Sequence, residues 1–296
     1  MQLLRKIVPS TNTRTTRYRR VEELALSKIN IIMSRFDGQI IIITGASSGI
    51  GRQAAIDFSN NGASSVVLVS RSELQLREVA ALMNPKCNAV VYPCDISNKL
   101  DVIKMSEDLL TRFDHIDILV NNAGFGIFGK VQNQSIEEME SVTATNYFGM
   151  IYCTKAFLDS MLRRKSGHIV NVASVAASFG VPGLAAYCGS KFATLGFSEA
   201  LHHELYGSGV GITVVSPIAV KTNFFRNQSF GGKMPNYTRL SLEPKTVSRA
   251  IMAAANSPRL EIIVPFFVRG GVWLKHTLPY FVNAIAGPVF RRQYTN

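Results

Sequence analysis

Short apolar runs alternate with longer helical stretches from residue 39 to residue 264, and this alternation constrains the fold more than any other feature. Short continuous apolar runs are typical of strands that are buried on both faces of a parallel sheet. The runs occupy residues 39–44, 66–70, 89–92, 116–120, 168–172, 212–215 and 261–264. A helical pattern follows the first run and continues to about residue 61. Further helical patterns cover residues 73–83, 99–113, 136–162 and 187–206. The pattern predicts a doubly wound parallel sheet of about seven strands, a Rossmann fold in three α/β/α layers.

This rhythm divides the 296 residues into three predicted segments. Residues 1–35 form a basic extension that we expect to be disordered or partly helical, and dispensable for catalysis as far as residue 32. Residues 36–264 form the Rossmann-fold catalytic domain, and residues 265–296 form an amphipathic lid or tail. Within the domain, glycines and prolines interrupt the rhythm at residues 221–245, which predicts a mobile substrate loop beside the ligand.

The composition favours a large folded core and an anionic ligand. Hydrophobic residues make up 47% of the chain and charged residues 18%, which excludes a globally disordered protein. The net charge is +12, and apart from residues 1–32, with seven basic and two acidic side chains, the excess is spread thinly. A spread positive field favours anionic ligands such as nucleotides, and also acidic surfaces. The chain has no basic stripe interleaved with aromatic residues, which argues against nucleic-acid binding.

The four cysteines form no CxxC pair and no zinc-like spacing with histidine. Free thiols in a reducing compartment are therefore expected, and no metal site is predicted. The apolar start of the chain ends at Arg5 and Lys6, so no secretory signal is predicted. We expect a cytoplasmic protein, and peripheral contact with a membrane surface stays open.

A glycine-rich segment follows the first predicted strand and opens the first helix. It reads Thr44-Gly45-Ala46-Ser47-Ser48-Gly49-Ile50-Gly51. Glycines permit a tight turn and let the backbone approach a pyrophosphate, whose charge the helix N-terminus stabilises. Such a segment is also compatible with a plain tight turn, but its place after the first strand of a βαβ series favours dinucleotide binding.

The end of the second predicted strand indicates which dinucleotide is preferred. An NAD enzyme usually places an acid there to hold the ribose 2′-hydroxyl, whereas this chain has Ser70 followed by Arg71. A guanidinium pairs well with a phosphate, and a charge-assisted contact of about 1.5–3 kcal/mol corresponds to roughly a ten- to hundredfold preference for NADP(H). The alternative is that Arg71 is an ordinary surface arginine.

Tyr187 and Lys191 are four residues apart in a predicted helix and share one helical face. An ammonium about 5 Å from the phenol would lower the tyrosine pKa by about two units at an effective dielectric constant of about 20. Lys191 is therefore predicted to tune Tyr187 as a proton donor. Ser174 ends the fifth predicted strand, where open α/β sheets bind ligands, and is a candidate to hydrogen-bond a substrate carbonyl. The alternative for Ser174 is an ordinary turn residue.

Together these motifs resemble those of the short-chain dehydrogenase/reductase family in its single-domain form, from about residue 36 to residue 220 and on to residue 264. The matching motifs, in order, are TGASSGIG at residues 44–51, Asn121-Asn122-Ala123-Gly124, Ser174, and the Tyr187/Lys191 pair. The resemblance implies a catalytic set of Asn146, Ser174, Tyr187 and Lys191. In that set Asn146 would hold a water that supplies protons to Lys191.

The resemblance also implies a cofactor site. Asp95 matches the acid that meets the adenine amino group, Arg71 matches the basic position of many NADP-using members, and Lys191 would hold the nicotinamide ribose. The full predicted set is Gly45, Ser47, Ser48, Gly49, Ile50, Gly51, Arg71, Asp95, Asn122, Ala123, Gly124, Tyr187, Lys191, Pro217 and Thr222.

Two positions depart from the family pattern. The Pro-Gly that often follows the sixth strand is Pro217-Ile218 here, so the backbone has less freedom to wrap the nicotinamide, although Thr222 remains available. The position before Gly49 is Ser48 rather than the basic residue of some NADP enzymes, which leaves Arg71 as the main phosphate anchor.

The residues and the resemblance together predict an oxidoreductase that interconverts a ketone or aldehyde and an alcohol, with NADP(H) preferred and NAD(H) possible. Phe224, Phe225, Phe230 and the aromatic tail indicate a small lipophilic substrate. The resemblance implies a homodimer or homotetramer that pairs through helices 136–162 and 187–206. The alternative functions are a non-catalytic nucleotide-binding regulator and a membrane-surface protein on the same fold.

Residues 262–292 combine aromatic and basic side chains, which is typical of segments that lie on a bilayer. The same residue types also suit a lid that lines an apolar substrate pocket. The two interpretations are compatible, and the sequence leaves both open.

Overall fold

The structure, a computed structural model, describes residues 36–231 and 240–292. The predicted basic extension, residues 232–239 of the predicted substrate loop and the last four residues lie outside the described part. Seven strands form one sheet in the order β3-β2-β1-β4-β5-β6-β7, with all neighbours parallel. The strands are β1 Ile40–Thr44, β2 Ser65–Ser70, β3 Asn88–Pro93, β4 Ile118–Asn121, β5 Gly167–Val172, β6 Val210–Pro217 and β7 Glu261–Val264. The predicted doubly wound parallel sheet is confirmed.

Helices cover both faces of this sheet. They are α1 Gly49–Asn60, α2 Glu73–Ala80, α3 Lys99–Phe113, α4 Ile136–Thr143, α5 Gly149–Arg164, α6 Ala185–Glu204, α7 Pro244–Asn256, α8 Val268–Thr277 and α9 Pro279–Arg292. In β1, Ile41 and Ile43 pack in the core with α1, α2 and α7, whereas Ile40 and Ile42 pack with α3, α5 and α6. Successive strand residues face opposite sides, so an unbroken apolar run is what a sheet covered on both faces requires.

The fourth strand begins two residues later than predicted. Ile116 is buried, but Asp117 lies between it and the strand. The Asp117 carboxylate accepts a hydrogen bond of 2.8 Å from the Ile40 backbone N–H and pairs with the Arg164 guanidinium. The acid therefore fixes the amino-terminal edge of β1 against β4.

The helix predicted over residues 136–162 is interrupted. A π-helical turn, residues 144–148, separates α4 from α5. Within it the Asn146 side chain bonds to the backbone of Phe125, in the loop after β4, at 2.9 Å through both its oxygen and its nitrogen. These two bonds connect the π-helical turn between α4 and α5 to the loop at the end of β4. Such π-helical turns occur frequently at functional sites.

Helix α7 was not predicted from the sequence. Pro244 lies in its first turn, and Val247, Ala250, Ile251 and Ala254 are buried at helical spacing against the core that contains α1. The predicted loop, residues 221–245, overlaps only the first two residues of this helix, and no element was predicted for the residues that follow. The predicted C-terminal lid or tail forms α8 and α9. Of the described helices, none has the length and apolarity needed to cross a bilayer.

Candidate active site

A cavity of about 890 Å³ opens at the carboxyl ends of the strands. It includes the point where the strand order reverses between β1 and β4, which is where open α/β sheets bind ligands. Its wall contains all the predicted cofactor and catalytic residues except Gly51 and Asn146, namely Gly45, Ser47, Ser48, Gly49, Ile50, Arg71, Asp95, Asn122, Ala123, Gly124, Ser174, Tyr187, Lys191, Pro217 and Thr222. Residues from six separate strand ends therefore converge on one cavity.

The glycine-rich turn lines one end of the cavity. Gly45 has a φ of 67°, and a β-carbon on it would come 2.7 Å from the Ala123 α-carbon. Gly49 begins α1 with a φ of 55°, and a β-carbon there would come 2.8 Å from the Thr222 methyl group. Side chains at these two positions would push apart the loops that form the wall. The Ser48 side chain makes no capping hydrogen bond to α1, so this helix end presents backbone N–H groups to the cavity.

Hydrogen bonds hold this turn against the loop that follows β4. The Thr44 hydroxyl accepts from the backbone N–H groups of Asn122 at 3.0 Å and Ala123 at 3.1 Å. In return the Asn122 amide donates to the carbonyls of Thr44 at 3.0 Å and Gly45 at 3.3 Å. Asn122 therefore acts within the protein by fixing the shape of the turn.

Gly51 does not line the cavity, in contrast to the sequence-based prediction. It is buried one turn into α1, and a β-carbon on it would collide with the Gly45 carbonyl oxygen. Its physical role is close packing of the helix on the turn, as expected for the third glycine of a dinucleotide-binding turn.

Arg71 and Asp95 lie at the ends of β2 and β3 and line the cavity. Arg71 is exposed and has no ion-pair partner in the described part of the chain. The neighbouring Ser70 hydroxyl is shielded from solvent and has no hydrogen-bond partner among the described residues. Asp95 is half-buried, and one carboxylate oxygen accepts from the Ser97 backbone at 3.0 Å and the Ser97 hydroxyl at 2.7 Å. A guanidinium without an ion-pair partner and an unpartnered hydroxyl thus belong to adjacent residues of the cavity wall, where the 2′-phosphate is predicted to bind.

Ser174, Tyr187 and Lys191 come together at the other end of the cavity. Ser174 follows β5, and its hydroxyl accepts from the Ala176 backbone N–H at 3.1 Å. Lys191 is buried, and its ammonium donates to the Val172 carbonyl at 2.9 Å. The Lys191 nitrogen lies 5.8 Å from the centre of the Tyr187 ring. Tyr187 and Lys191 share one face of α6, as their spacing predicts.

The expected lowering of the Tyr187 pKa is not met. Burial raises the pKa of Tyr187 to about 12, although the Ser174 hydroxyl acts in the opposite direction. Burial also lowers the pKa of Lys191 to about 8. Both shifts have the same cause, because removing water from either group disfavours its charged form. The sequence-based prediction included the attraction between phenolate and ammonium but not the loss of hydration.

Asn146 lies behind this group and not in the cavity wall. It is buried, and besides its two bonds to Phe125 it donates to the Ser190 hydroxyl at 3.0 Å. Ser190 precedes Lys191, so the Asn146 side chain links the π-helical turn to the helix that carries the candidate catalytic pair. The water-holding role implied by the resemblance stays a prediction.

Aromatic side chains cover Tyr187 and include residues that the sequence analysis did not select. The Phe224 ring meets the Tyr187 ring edge-on at 5.1 Å, and Phe224, Phe225 and Phe230 contact one another at 5.0–5.8 Å. Phe128, which was missed, stacks on Phe230 at 5.3 Å. The only available signal was its place shortly after Asn121-Asn122-Ala123-Gly124. Phe224 and Phe225 line the cavity, so the wall beside the candidate proton donor is apolar, and Phe230 and Phe128 pack behind it.

Comparisons with known proteins agree with this geometry. A sequence model of the short chain dehydrogenase family matches residues 39–230. Dehydrogenase/reductase SDR family member 7B of Danio rerio is 32% identical over 238 residues, which cover 76% of this chain and 77% of that protein. Short-chain dehydrogenase/reductase family 16C member 6 of Bos taurus is 34% identical over 249 residues, which cover 81% of this chain and 77% of that protein.

Solved structures show the same similarity. A short chain dehydrogenase/reductase of Burkholderia phymatum, in complex with NAD, aligns with a TM-score of 0.74 and 26% identity over 83% of this chain and 95% of that chain. A metagenomic short-chain oxidoreductase in complex with NADP aligns with a TM-score of 0.67 and 28% identity over 77% of this chain and 97% of that chain. The chain belongs to the short-chain dehydrogenase/reductase family, a family of oxidoreductases.

Proposed function

We propose that this protein is an NADP(H)-dependent oxidoreductase that interconverts a ketone or aldehyde and an alcohol on a small lipophilic substrate. The observation that carries the proposal is the convergence of Ser174, Tyr187 and Lys191 on the same cavity that the glycine-rich turn lines. A dinucleotide that reaches from that turn would bring its nicotinamide to the same three side chains. Their location at the ends of β5 and on α6 suits ligand binding in this fold.

The residues present fit a nicotinamide cofactor. The free N–H groups at the start of α1 would hold the pyrophosphate, Asp95 the adenine, and Lys191 the nicotinamide ribose. Thr222, whose methyl group lies against Gly49, would hold the cofactor's amide or phosphates. A nicotinamide held there would supply or accept the hydride.

The chain's own groups handle the proton and the substrate oxygen. In the direction of reduction, Tyr187 donates its phenolic proton to that oxygen while Ser174 orients it. A Tyr187 pKa of about 12 keeps the phenol protonated at neutral pH, as a proton donor requires. Lys191, with a pKa of about 8, is mainly charged at pH 7 and favours the phenolate as it forms.

The direct test is consumption of NADPH with a panel of carbonyl compounds that differ in chain length and ring content. We expect turnover to rise with apolar size, because phenylalanines line the wall beside Tyr187. Binding of NADPH without turnover of any compound would favour the non-catalytic regulator instead.

We propose that Arg71 binds the 2′-phosphate of NADP(H). We expect Arg71→Ala to raise the KM for NADPH by roughly ten- to a hundredfold, because one charge-assisted contact is lost, and to change the KM for NADH little. The measurement is initial rates with both cofactors at saturating substrate. Arg77→Ala is the control, since Arg77 is exposed on α2 and paired with Glu73. Equal changes in the KM for NADPH and for NADH would show that Arg71 does not determine the preference for NADPH.

The protein is also proposed to form a homodimer or homotetramer through α4, α5 and α6. Four large apolar side chains on these helices and on the π-helical turn between α4 and α5 are exposed in the single chain, namely Ile136, Phe148, Leu162 and Phe192. Covering them in a subunit interface would remove that apolar area from water.

The proposed catalytic domain spans residues 36–264, and residues 265–296 form the proposed lid or tail, whose Phe267 and Val268 line the cavity.

A further inference from the structure

The end of the described chain exposes an unusual density of large apolar side chains. Of the nineteen large apolar side chains that are exposed among the described residues, seven fall within residues 266–285. They are Phe266, Phe267, Trp273, Leu278, Tyr280, Phe281 and Ile285, and their exposed fractions run from 50% to 90%. We refer to these seven residues as the C-terminal apolar surface. Isolated exposed apolar residues are normal, but such a concentration marks an interaction site.

The charged side chains of the segment that carries this surface have one sign. Residues 265–296 contain four arginine or lysine residues and no aspartate or glutamate. Arg269 is exposed, and the Lys275 ammonium lies 5.5 Å from the centre of the Phe192 ring. A second copy that covered this surface by a twofold contact would bring the basic residues of both copies into one interface, and this segment has no acid to pair with them. A negatively charged lipid surface complements both the apolar and the basic side chains.

The C-terminal apolar surface extends to the opening of the active-site cavity. Phe267 is 67% exposed and also lines the cavity, together with Val268 at the start of α8. Strand β7 leads directly into this segment, and its last residue, Val264, pairs with Pro217 in the cavity wall. A bilayer in contact with this surface would lie at the cavity opening.

We propose that the C-terminal apolar surface docks on anionic lipid bilayers and that the cavity takes its lipophilic substrate from the lipid. The first part stands on the exposed side chains and their charge. The second part rests on the proposed function. Docking would let an apolar substrate move from the bilayer to the phenylalanines beside Tyr187 without crossing water.

The test is flotation of the full-length protein with two kinds of vesicle, phosphatidylcholine alone and phosphatidylcholine with roughly one-third phosphatidylserine. We expect the protein to float with the anionic vesicles and much less with the neutral ones. The double variant Trp273→Ser/Phe281→Ser should bind the anionic vesicles at least about tenfold more weakly, because two large apolar side chains no longer insert. Tyr206→Ser is the matched control, since Tyr206 is an exposed aromatic residue distant in the chain from this surface.

A charge variant and two substrates complete the test. Arg269→Glu keeps the apolar side chains and should weaken binding to the anionic vesicles more than to the neutral ones. On a short water-soluble ketone the double variant should match the wild type, whereas on a long-chain ketone dissolved in the vesicles its rate should fall in parallel with binding. Neither Trp273 nor Phe281 lines the cavity, so a general loss of activity is not expected.

Several results would overturn the proposal. Equal flotation of wild type and double variant, or no flotation of either, would exclude docking by this surface. A lower molar mass of the double variant in light scattering, without vesicle binding by the wild type, would show that a second copy covers it. A double variant slowed equally on both ketones would show that the segment acts only as a lid. Failure of every carbonyl compound with normal flotation would refute the proposed function and leave docking intact.

Discussion

Replacing Tyr187 by phenylalanine is expected to lower kcat by about a thousandfold while the cofactor affinity stays within about twofold, since general acid catalysis contributes roughly 10²–10⁴. The substitution removes only the phenolic oxygen. The ring keeps its edge-on contact with Phe224 at 5.1 Å and its place in the aromatic cluster. Steady-state rates with the best carbonyl substrate and a fluorescence titration with NADPH measure the two quantities separately.

The matched control is Tyr206→Phe, because Tyr206 is 94% exposed and lies outside the cavity wall. It should behave as the wild type in both measurements. If Tyr187→Phe retains more than a few per cent of the wild-type kcat, another group supplies the proton, and the role proposed for Tyr187 is wrong.

The second large effect concerns Lys191, for which activity and stability should change in opposite directions. Lys191→Met is expected to reduce kcat/KM by about a hundredfold or more, because no positive charge then favours the developing phenolate. The same substitution should stabilise the fold at pH 7. Burial lowers the Lys191 pKa from 10.5 to about 8, which corresponds to about 3 kcal/mol of unfavourable desolvation in the folded state. Loss of the hydrogen bond to Val172 offsets about 1 kcal/mol of that gain.

The sign of this stability effect can be checked by changing the pH. Below pH 8 the lysine is protonated in both the folded and the unfolded chain, so the wild type bears the full desolvation cost. Between pH 8 and 10.5 the unfolded chain keeps the proton while the folded chain has lost it, and the wild type becomes relatively more stable as the pH rises. Above pH 10.5 both states are neutral, and the advantage of methionine should have disappeared.

Urea unfolding of the wild type and Lys191→Met at pH 7 and near pH 10.5 measures this difference. We expect the methionine variant to be more stable by about 2 kcal/mol at pH 7, and the gap to close at the higher pH. Lys155→Met is the control, because Lys155 is exposed on α5 and should show no comparable pH dependence. An equal gap at both pH values would mean that packing, and not the buried charge, causes the stability change.

The strands and helices that could be predicted are those whose sequence patterns involve residues close together in the chain. Residues 39–44 are apolar at consecutive positions, and only a strand covered on both faces buries such a run. The helix predicted over residues 136–162 was placed correctly, but its interruption was not, because the π-helical turn depends on bonds from Asn146 to Phe125 twenty-one residues away. Helix α7 carried a usable helical pattern, although no element was predicted over most of its length.

The candidate site divides in the same way. The order and spacing of the glycine-rich turn, Ser174, Tyr187 and Lys191 placed them at strand ends and on one helical face, and the structure brings them into one cavity. Gly51 was assigned to the cofactor site because it belongs to the same motif, yet its contact with Gly45 is internal. Phe128 was missed because its contact with Phe230 joins two loops about a hundred residues apart.

By itself the sequence determined the fold class, the family pattern and the identity of the groups that can exchange a proton, because strand burial, helical spacing and side-chain chemistry are properties of near neighbours in the chain. Only the tertiary structure decided the direction of the Tyr187 pKa shift, the phenylalanine wall beside that residue and the exposure of the C-terminal apolar surface. These depend on how much water each side chain loses or keeps, and residues distant in sequence determine that loss when the chain packs.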